Sequence, residues 1–310
     1  MDRLENVKLE FDAAAFCSPD FSFQAAYYLG HVSLQTYEKE AEMIEKRFSD
    51  LGDDSLTVTP FKSGNTEGIL IDLPDDLIIS YRGTESRADW AFNFKAKQIN
   101  SWFKFPGRIH QGFFEALNQV WTSHIEGAIK AAHEQGKKVI LTGHSLGGAL
   151  SLLTAARIAR LYQPRMVKAI YTFGQPKVGD PRFAEFISEH FPDTYYRFVN
   201  HRDIVPCIPP SRLGYDHCGK LYHFDDDGDL KAAMQFESIE VDADIEVDDY
   251  ERFKIEMLTD PSGHVAKVTP DYESLPPPSQ LLGIDDHSMI DEYLPALRKQ
   301  LDTNSAEDFT

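Results

Sequence analysis

The chain has 310 residues, 42% hydrophobic and 26% charged, and a net charge of −19. That length is enough for one large α/β core, and the strong negative balance argues against nucleic acid or an anionic membrane surface as a partner. No run of 18 apolar residues is present, so no segment reads as a stable membrane anchor, and three scattered cysteines, Cys17, Cys207 and Cys218, supply neither a disulfide framework nor a metal site.

In chain order, residues 22–50 read as helix, with Ala25, Ala26, Leu29 and Val32 and later Met43, Ile44 and Phe48 on apolar stripes. Strands are expected at 56–61, 67–73 and 77–82. An aromatic-rich loop region follows over 83–109, then a helix over 111–134, a strand over 138–142 and a helix over 146–161. Strand 167–173, helix 181–190 and strand 194–199 complete an alternation that implies a mostly parallel sheet flanked by helices.

The rhythm then breaks. Lys220–Phe224 and Leu230–Phe236 flank an Asp-rich turn that reads as a hairpin; a calcium-loop reading fails because His223 and Met234 occupy ligand positions. Residues 239–247 alternate like a half-exposed strand, Pro276–Pro278 marks a loop, and a last amphipathic helix covers about 288–301. Residues 217–283 thus look like an acidic excursion from the main sheet; 221–280 alone hold 16 acidic and 4 basic residues. One domain over 1–310 is expected. The N-terminal residues lack an apolar signal core, which reads as a cytoplasmic protein, secretion by another route aside.

The most informative segment is Lys137–Arg160. A short apolar strand turns sharply through Gly143-His144-Ser145-Leu146-Gly147 into an Ala/Leu-rich helix. Strand, G-x-S-x-G turn and helix form the nucleophile elbow of α/β-hydrolases, in which a tight turn excludes Cβ atoms beside the serine and presents its hydroxyl at a helix N-terminus.

A serine nucleophile needs a histidine base and a carboxylate that fixes the histidine, in the chain order Ser, acid, His for this fold. Asp203 follows strand 194–199 at its carboxyl end and is preferred to Asp180, which precedes Pro181 as a helix N-cap would. Among later histidines, His287 lies in a loop just before the last helix and is the favoured base. His217 is second; His223 falls in a strand, His264 in a polar turn, and Asp286 is a bystander. The oxyanion hole needs the Leu146 N–H and a donor from an earlier loop, where Arg82-Gly83-Thr84 offers Thr84.

The stretches Tyr81-Arg82-Gly83-Thr84, Ile109-His110-Gln111-Gly112-Phe113, GHSLGGAL at 143–150, FGQPKVGD at 173–180, Asp203-Ile204-Val205-Pro206 and Asp286-His287 with Tyr293 downstream resemble the class 3 lipases, the fungal triacylglycerol lipases and their bacterial and plant relatives. The resemblance implies an α/β-hydrolase fold, a Ser145–His287–Asp203 triad, Thr84 and Leu146 as oxyanion donors, a structural His110 and a lid after Thr84. His144 is the variable elbow residue, with packing as its expected role. Residues 85–108 hold Trp90, Phe92 and Phe94, and Trp90 and Phe94 would share a helical face, as an amphipathic lid requires. The expected activity is hydrolysis of medium- or long-chain carboxylic esters, foremost triacylglycerols at a lipid–water interface, without cofactor or metal. Phospholipase A1 or feruloyl-type esterase chemistry on the same site is the nearer alternative; a non-catalytic lipase-like interaction protein is the remote one.

Overall fold

The computed structural model describes Leu4 and residues 7–18, 20–84, 97–100, 105–235 and 287–307. The expected strand at 239–247, the loop at 276–278, His264, Asp286 and the lid aromatics Trp90, Phe92 and Phe94 lie outside the described residues.

Helix α1 (Phe23–Gln35) starts at Ser22, whose side chain accepts from the Gln24 and Ala25 amides. It stops sooner than the apolar stripe suggests. Tyr37 N and Glu38 N fold back onto the Leu34 and Gln35 carbonyls, and the Glu38 carboxylate takes the Lys39 and Glu40 amides. These polar alternatives to the helix ladder split the expected 22–50 helix, and α2 (Ala41–Ser49) begins anew.

Strands β1 (Thr57–Ser63), β2 (Thr66–Asp72) and β3 (Asp76–Tyr81) form an antiparallel meander. A two-stranded ribbon follows, β4 (Gln98–Asn100) with β5 (Arg108–His110). The expected 111–134 helix is α3 (Gln111–Val120) and α4 (Glu126–Glu134), joined by one wider π-type turn at Trp121–Ile125. Leu117, Trp121, Ile125 and Ile129 recur every four residues and are all buried. A straight α-helix would rotate that row off the core, and the wider turn corrects the drift.

Then come β6 (Lys138–His144), α5 (Leu146–Leu161), β7 (Val167–Phe173), α6 (Pro181–His190) and β8 (Tyr195–Asn200). Strands β9 (Lys220–Phe224) and β10 (Leu230–Gln235) close the main sheet, and α7 (Leu294–Glu307) follows a π-type turn at Met289–Tyr293. The sheet order is β1-β2-β3-β6-β7-β8-β9-β10, parallel from β3 through β9.

The excursion expected at 217–283 is therefore corrected over its first part. β9 pairs parallel with β8, and Leu221 and Phe224 are buried within the core. The Asp-rich turn is the hairpin expected from sequence: Asp225 Oδ1 accepts from the Asp227 and Asp229 amides, and Gly228 takes φ +78°.

Alternation along the strands assigns two cores. Leu77, Ile79, Val139 and Leu141 face α3, α4, α5 and α6; Ile78 and Ile140 face α1, α2 and α7. Helices on both faces of a parallel sheet leave the carboxyl ends of the strands open to build a site.

Candidate active site

Ser145 stands between β6 and α5 with φ 58° and ψ −128°, a conformation that costs a non-glycine residue on the order of 1–3 kcal/mol. The turn is held from both sides. Ser145 N donates to Phe173 O on β7 at 2.9 Å, and Gly148 N donates to Ser145 O at 3.0 Å. A Cβ on Gly147 would lie 2.0 Å from Tyr81 O, so glycine is required where the helix starts against β3. Behind the turn, α5 is buried from Gly147 to Ile158 and anchors it in the core.

Asp203 lies three residues past β8, where the sequence places the acid. Its amide donates to Asn200 O, and Oδ1 accepts from Val205 N at 2.9 Å. Oδ2 lies 2.6 Å from His287 Nδ1 and also accepts from the Tyr293 hydroxyl at 2.6 Å. A carboxylate only accepts, so Nδ1 carries the proton; in the neutral ring Nε2 is then the basic nitrogen. Nε2 is buried and has no hydrogen-bond partner among the described residues. Asp203 and His287 are 3% and 0% exposed, and a charge-assisted bond of this kind strengthens in such a low-dielectric setting.

The competitors have other occupations. Asp180 caps α6, accepting from Phe183 N at 3.0 Å. His217 Nε2 donates to Pro206 O at 2.6 Å, and burial, with the nearby Arg197 and Lys177 charges, pushes its pKa well below the usual imidazole value. His223 donates to His201 O. His110 accepts from Phe113 N and so caps α3, a structural place as expected. No thiol competes with Ser145: all three cysteines are free, and burial pushes Cys207 up to about 11 and Cys218 up to about 12.

Several residues that complete the site carry no signal of their own in the sequence. Gly174 takes φ 57°, and a Cβ there would lie 2.5 Å from His287 Cε1 and 2.7 Å from Asp203 Oδ2. Lys177 and Arg197 donate to the Cys207 and Cys218 carbonyls and brace the loop that carries the acid. Gly83 approaches Ser145 so closely that its own Cβ would lie 3.1 Å from the serine Cβ. Thr84 is the next residue in the chain, and Leu146, the residue after Ser145, opens α5. Only the motif stretches around Gly174 and Lys177 hinted at these roles.

The family model for lipase (class 3) matches residues 78–213, which contain the elbow and the acid. A lipase of Rhizomucor miehei is 34% identical over 157 residues, covering 48% of this chain and 42% of the relative. A secreted mono- and diacylglycerol lipase of Fusarium solani is 33% identical over 152 residues, 48% of this chain and 44% of the relative. The chain thus spans less than half the length of these curated relatives. In structure, the triacylglyceride lipase of Rhizomucor miehei superposes with a TM-score of 0.59 at 24% identity, over 69% of this chain and 85% of that one. Relatives from Fusarium solani and Malassezia globosa are named as secreted, which overturns the cytoplasmic placement read from the N-terminal residues. Residues 78–213 thus match the class 3 lipase family, and the described residues share the α/β-hydrolase fold of the fungal lipases.

Proposed function

We propose that this chain is a serine carboxylic-ester hydrolase acting on acylglycerols with medium or long acyl chains, foremost triacylglycerols. One observation carries the reading: the strained Ser145 elbow stands on the same sheet end as a buried His287–Asp203 pair whose free nitrogen is the basic one. Ser145 Oγ attacks the ester carbonyl carbon while His287 Nε2 takes its proton. The Leu146 and Thr84 N–H groups hold the oxyanion. The imidazolium then protonates the leaving alkoxide, and a water deprotonated by His287 releases the fatty acid. Asp203 keeps the ring oriented, and the steps need no metal or cofactor.

One α/β-hydrolase domain accounts for the described residues, and the amphipathic run 85–108 is the proposed contact with a lipid–water interface, on its sequence alone. The secreted relatives support an extracellular site of action. Mono- and diacylglycerols are the second substrate reading, because relatives from Fusarium solani and Malassezia globosa are named for them.

The test is hydrolysis of p-nitrophenyl esters across acyl lengths beside emulsions of triolein, diolein and monoolein. Ser145→Ala should lower kcat by about 10⁴-fold or more with the far-UV circular dichroism unchanged. Normal turnover by folded Ser145→Ala protein would refute the proposal.

A further inference from the structure

The residue before the nucleophile does more than pack. Alternation along β6 places Ile140, Thr142 and His144 on the face covered by α1. Along α1 and the turn that follows it, Ser33 and Tyr37 are four residues apart, about 6 Å of helical rise, which matches two residues of strand at about 6.6 Å. Two contacts result from this match. Ser33 Oγ and Thr142 Oγ1 are 3.0 Å apart, and the Tyr37 hydroxyl is 2.7 Å from His144 Nδ1.

The other ring nitrogen reaches the catalytic base. His144 Nε2 lies 2.9 Å from the backbone oxygen of His287, and the two rings have centroids 4.3 Å apart, inclined at 33°. A carbonyl oxygen only accepts, so Nε2 carries a proton. In the neutral ring Nδ1 is then a lone pair, and the Tyr37 hydroxyl donates to it. The hydroxyl therefore selects the tautomer of His144 that can hold His287. With the proton on Nδ1 instead, the Nε2 lone pair would face the carbonyl oxygen and push the base away.

Tyr37 also meets the oxyanion side. A Cβ on Gly83 would lie 2.1 Å from the Tyr37 hydroxyl, and the Arg82 guanidinium sits 5.8 Å from the centre of the Tyr37 ring. Arg82 is in turn paired with Glu67 of β2 at 2.7 Å. One phenol thus abuts both the segment leading to Thr84 and the histidine that holds the base.

We infer that Tyr37 and His144 are positioning residues for ester hydrolysis: Tyr37 locks the His144 tautomer, and His144 fixes the main chain of His287 so that its Nε2 faces Ser145. The inference rests on the serine-hydrolase reading above. It differs from ordinary packing because a tautomer lock has a chemical signature. Glutamine carries a donor and an acceptor on one carbon, spaced like the two imidazole nitrogens, and its amide has no tautomer to choose.

The experiment compares kcat and KM on one soluble p-nitrophenyl ester for the wild type, Y37F, H144L, H144Q, Y37F/H144L and Y37F/H144Q. Y37F and H144L should each lower kcat about 10-fold, the size of one lost hydrogen bond, with KM little changed. The double variant Y37F/H144L should be no worse than H144L, since the two act in series. H144Q should keep several-fold more activity than H144L, and adding Y37F to H144Q should cost less than it does in the wild type. Independently of turnover, ¹⁵N NMR of histidine-labelled protein should show His144 protonated at Nε2 and bare at Nδ1 near neutral pH, with the Nδ1-protonated form rising in Y37F.

Equal Y37F losses in the H144 and H144Q backgrounds, or an unshifted tautomer in Y37F, would overturn the inference while leaving Ser145 chemistry intact. Absence of any ester hydrolysis by the wild type would instead refute the functional reading, and the NMR result would still decide the tautomer lock.

Discussion

Tyr293 and His287 share a single oxygen of Asp203: the phenol and the imidazole each lie 2.6 Å from Oδ2. The phenol in turn accepts from Asn200 N at 3.1 Å, which ties the acid's orientation to the end of β8. A carboxylate gripped this way cannot rotate without losing a second donor, so the direction of the His287 ring is set by three residues rather than two. Tyr293→Phe removes only the hydroxyl from a fully buried position. It should lower kcat/KM roughly 10-fold, the loss of one bond to a charged acceptor, with a smaller change in KM than in kcat. Steady-state kinetics on a soluble ester check this; unaltered kcat would mean that the Asp203–His287 pair orients itself.

Asp203→Asn and His287→Ala should each cost several orders of magnitude in kcat, and neither should add its full loss to that of Ser145→Ala, because the three act as a unit. Asp180→Asn should be nearly silent, since asparagine caps a helix about as well as aspartate. His217→Ala should act through stability, as it removes a buried bond to Pro206 O. A kinetic ranking that put Asp180 or His217 above Asp203 or His287 would reassign the triad.

Gly174→Ala should be far more damaging than its size suggests. The position has φ 57°, and the added methyl would meet His287 and Asp203 at once. The backbone term alone is on the order of 1–2 kcal/mol, and displacement of the base should lower kcat by about 100-fold or more. Thermal denaturation and kcat measured together separate the two effects: a Tm shift with normal kcat would show that the pair has room to move.

His31 of α1 is 3% exposed, neither ring nitrogen has a hydrogen-bond partner among the described residues, and burial lowers its pKa to about 4. The folded value lies below the unfolded one near 6.5, so between those limits the unfolded chain binds more protons. Stability should therefore fall as pH drops from about 6.5 towards 4, by on the order of 3 kcal/mol from this group at most. His31→Leu should flatten that part of the curve, as urea unfolding at pH 7, 5.5 and 4.5 would report. A variant that lost stability as steeply as the wild type would place the acid sensitivity elsewhere, with His217 the next group to test.

What the sequence made legible follows the range of the interactions. The elbow is local: strand, turn and α5 are written in consecutive residues, and the 146–161, 167–173 and 181–190 boundaries match those expected. Asp203 and His287 are 84 residues apart, yet the two side chains that chain order and strand ends pair are hydrogen-bonded in the fold. Tyr37 touches His144 across 107 residues, and Gly174 matters only because two distant side chains converge on it. Periodicity cannot announce such contacts, since each residue alone fits an ordinary role in a turn or strand. The same limit explains the broken helices, where Glu38 and the Trp121–Ile125 turn obey local hydrogen bonding and core contact over the longer apolar stripe. It explains β9 as well: its hairpin with β10 is legible locally, but its parallel pairing with β8 is not.

The strained φ of Ser145 sets selection for robustness against selection for turnover at one position. Only glycine adopts that backbone without penalty, so a search that rewarded thermal endurance alone would drift towards Ser145→Gly, a sturdier protein with no nucleophile. The tension is local, because the buried core of α5 anchors the turn.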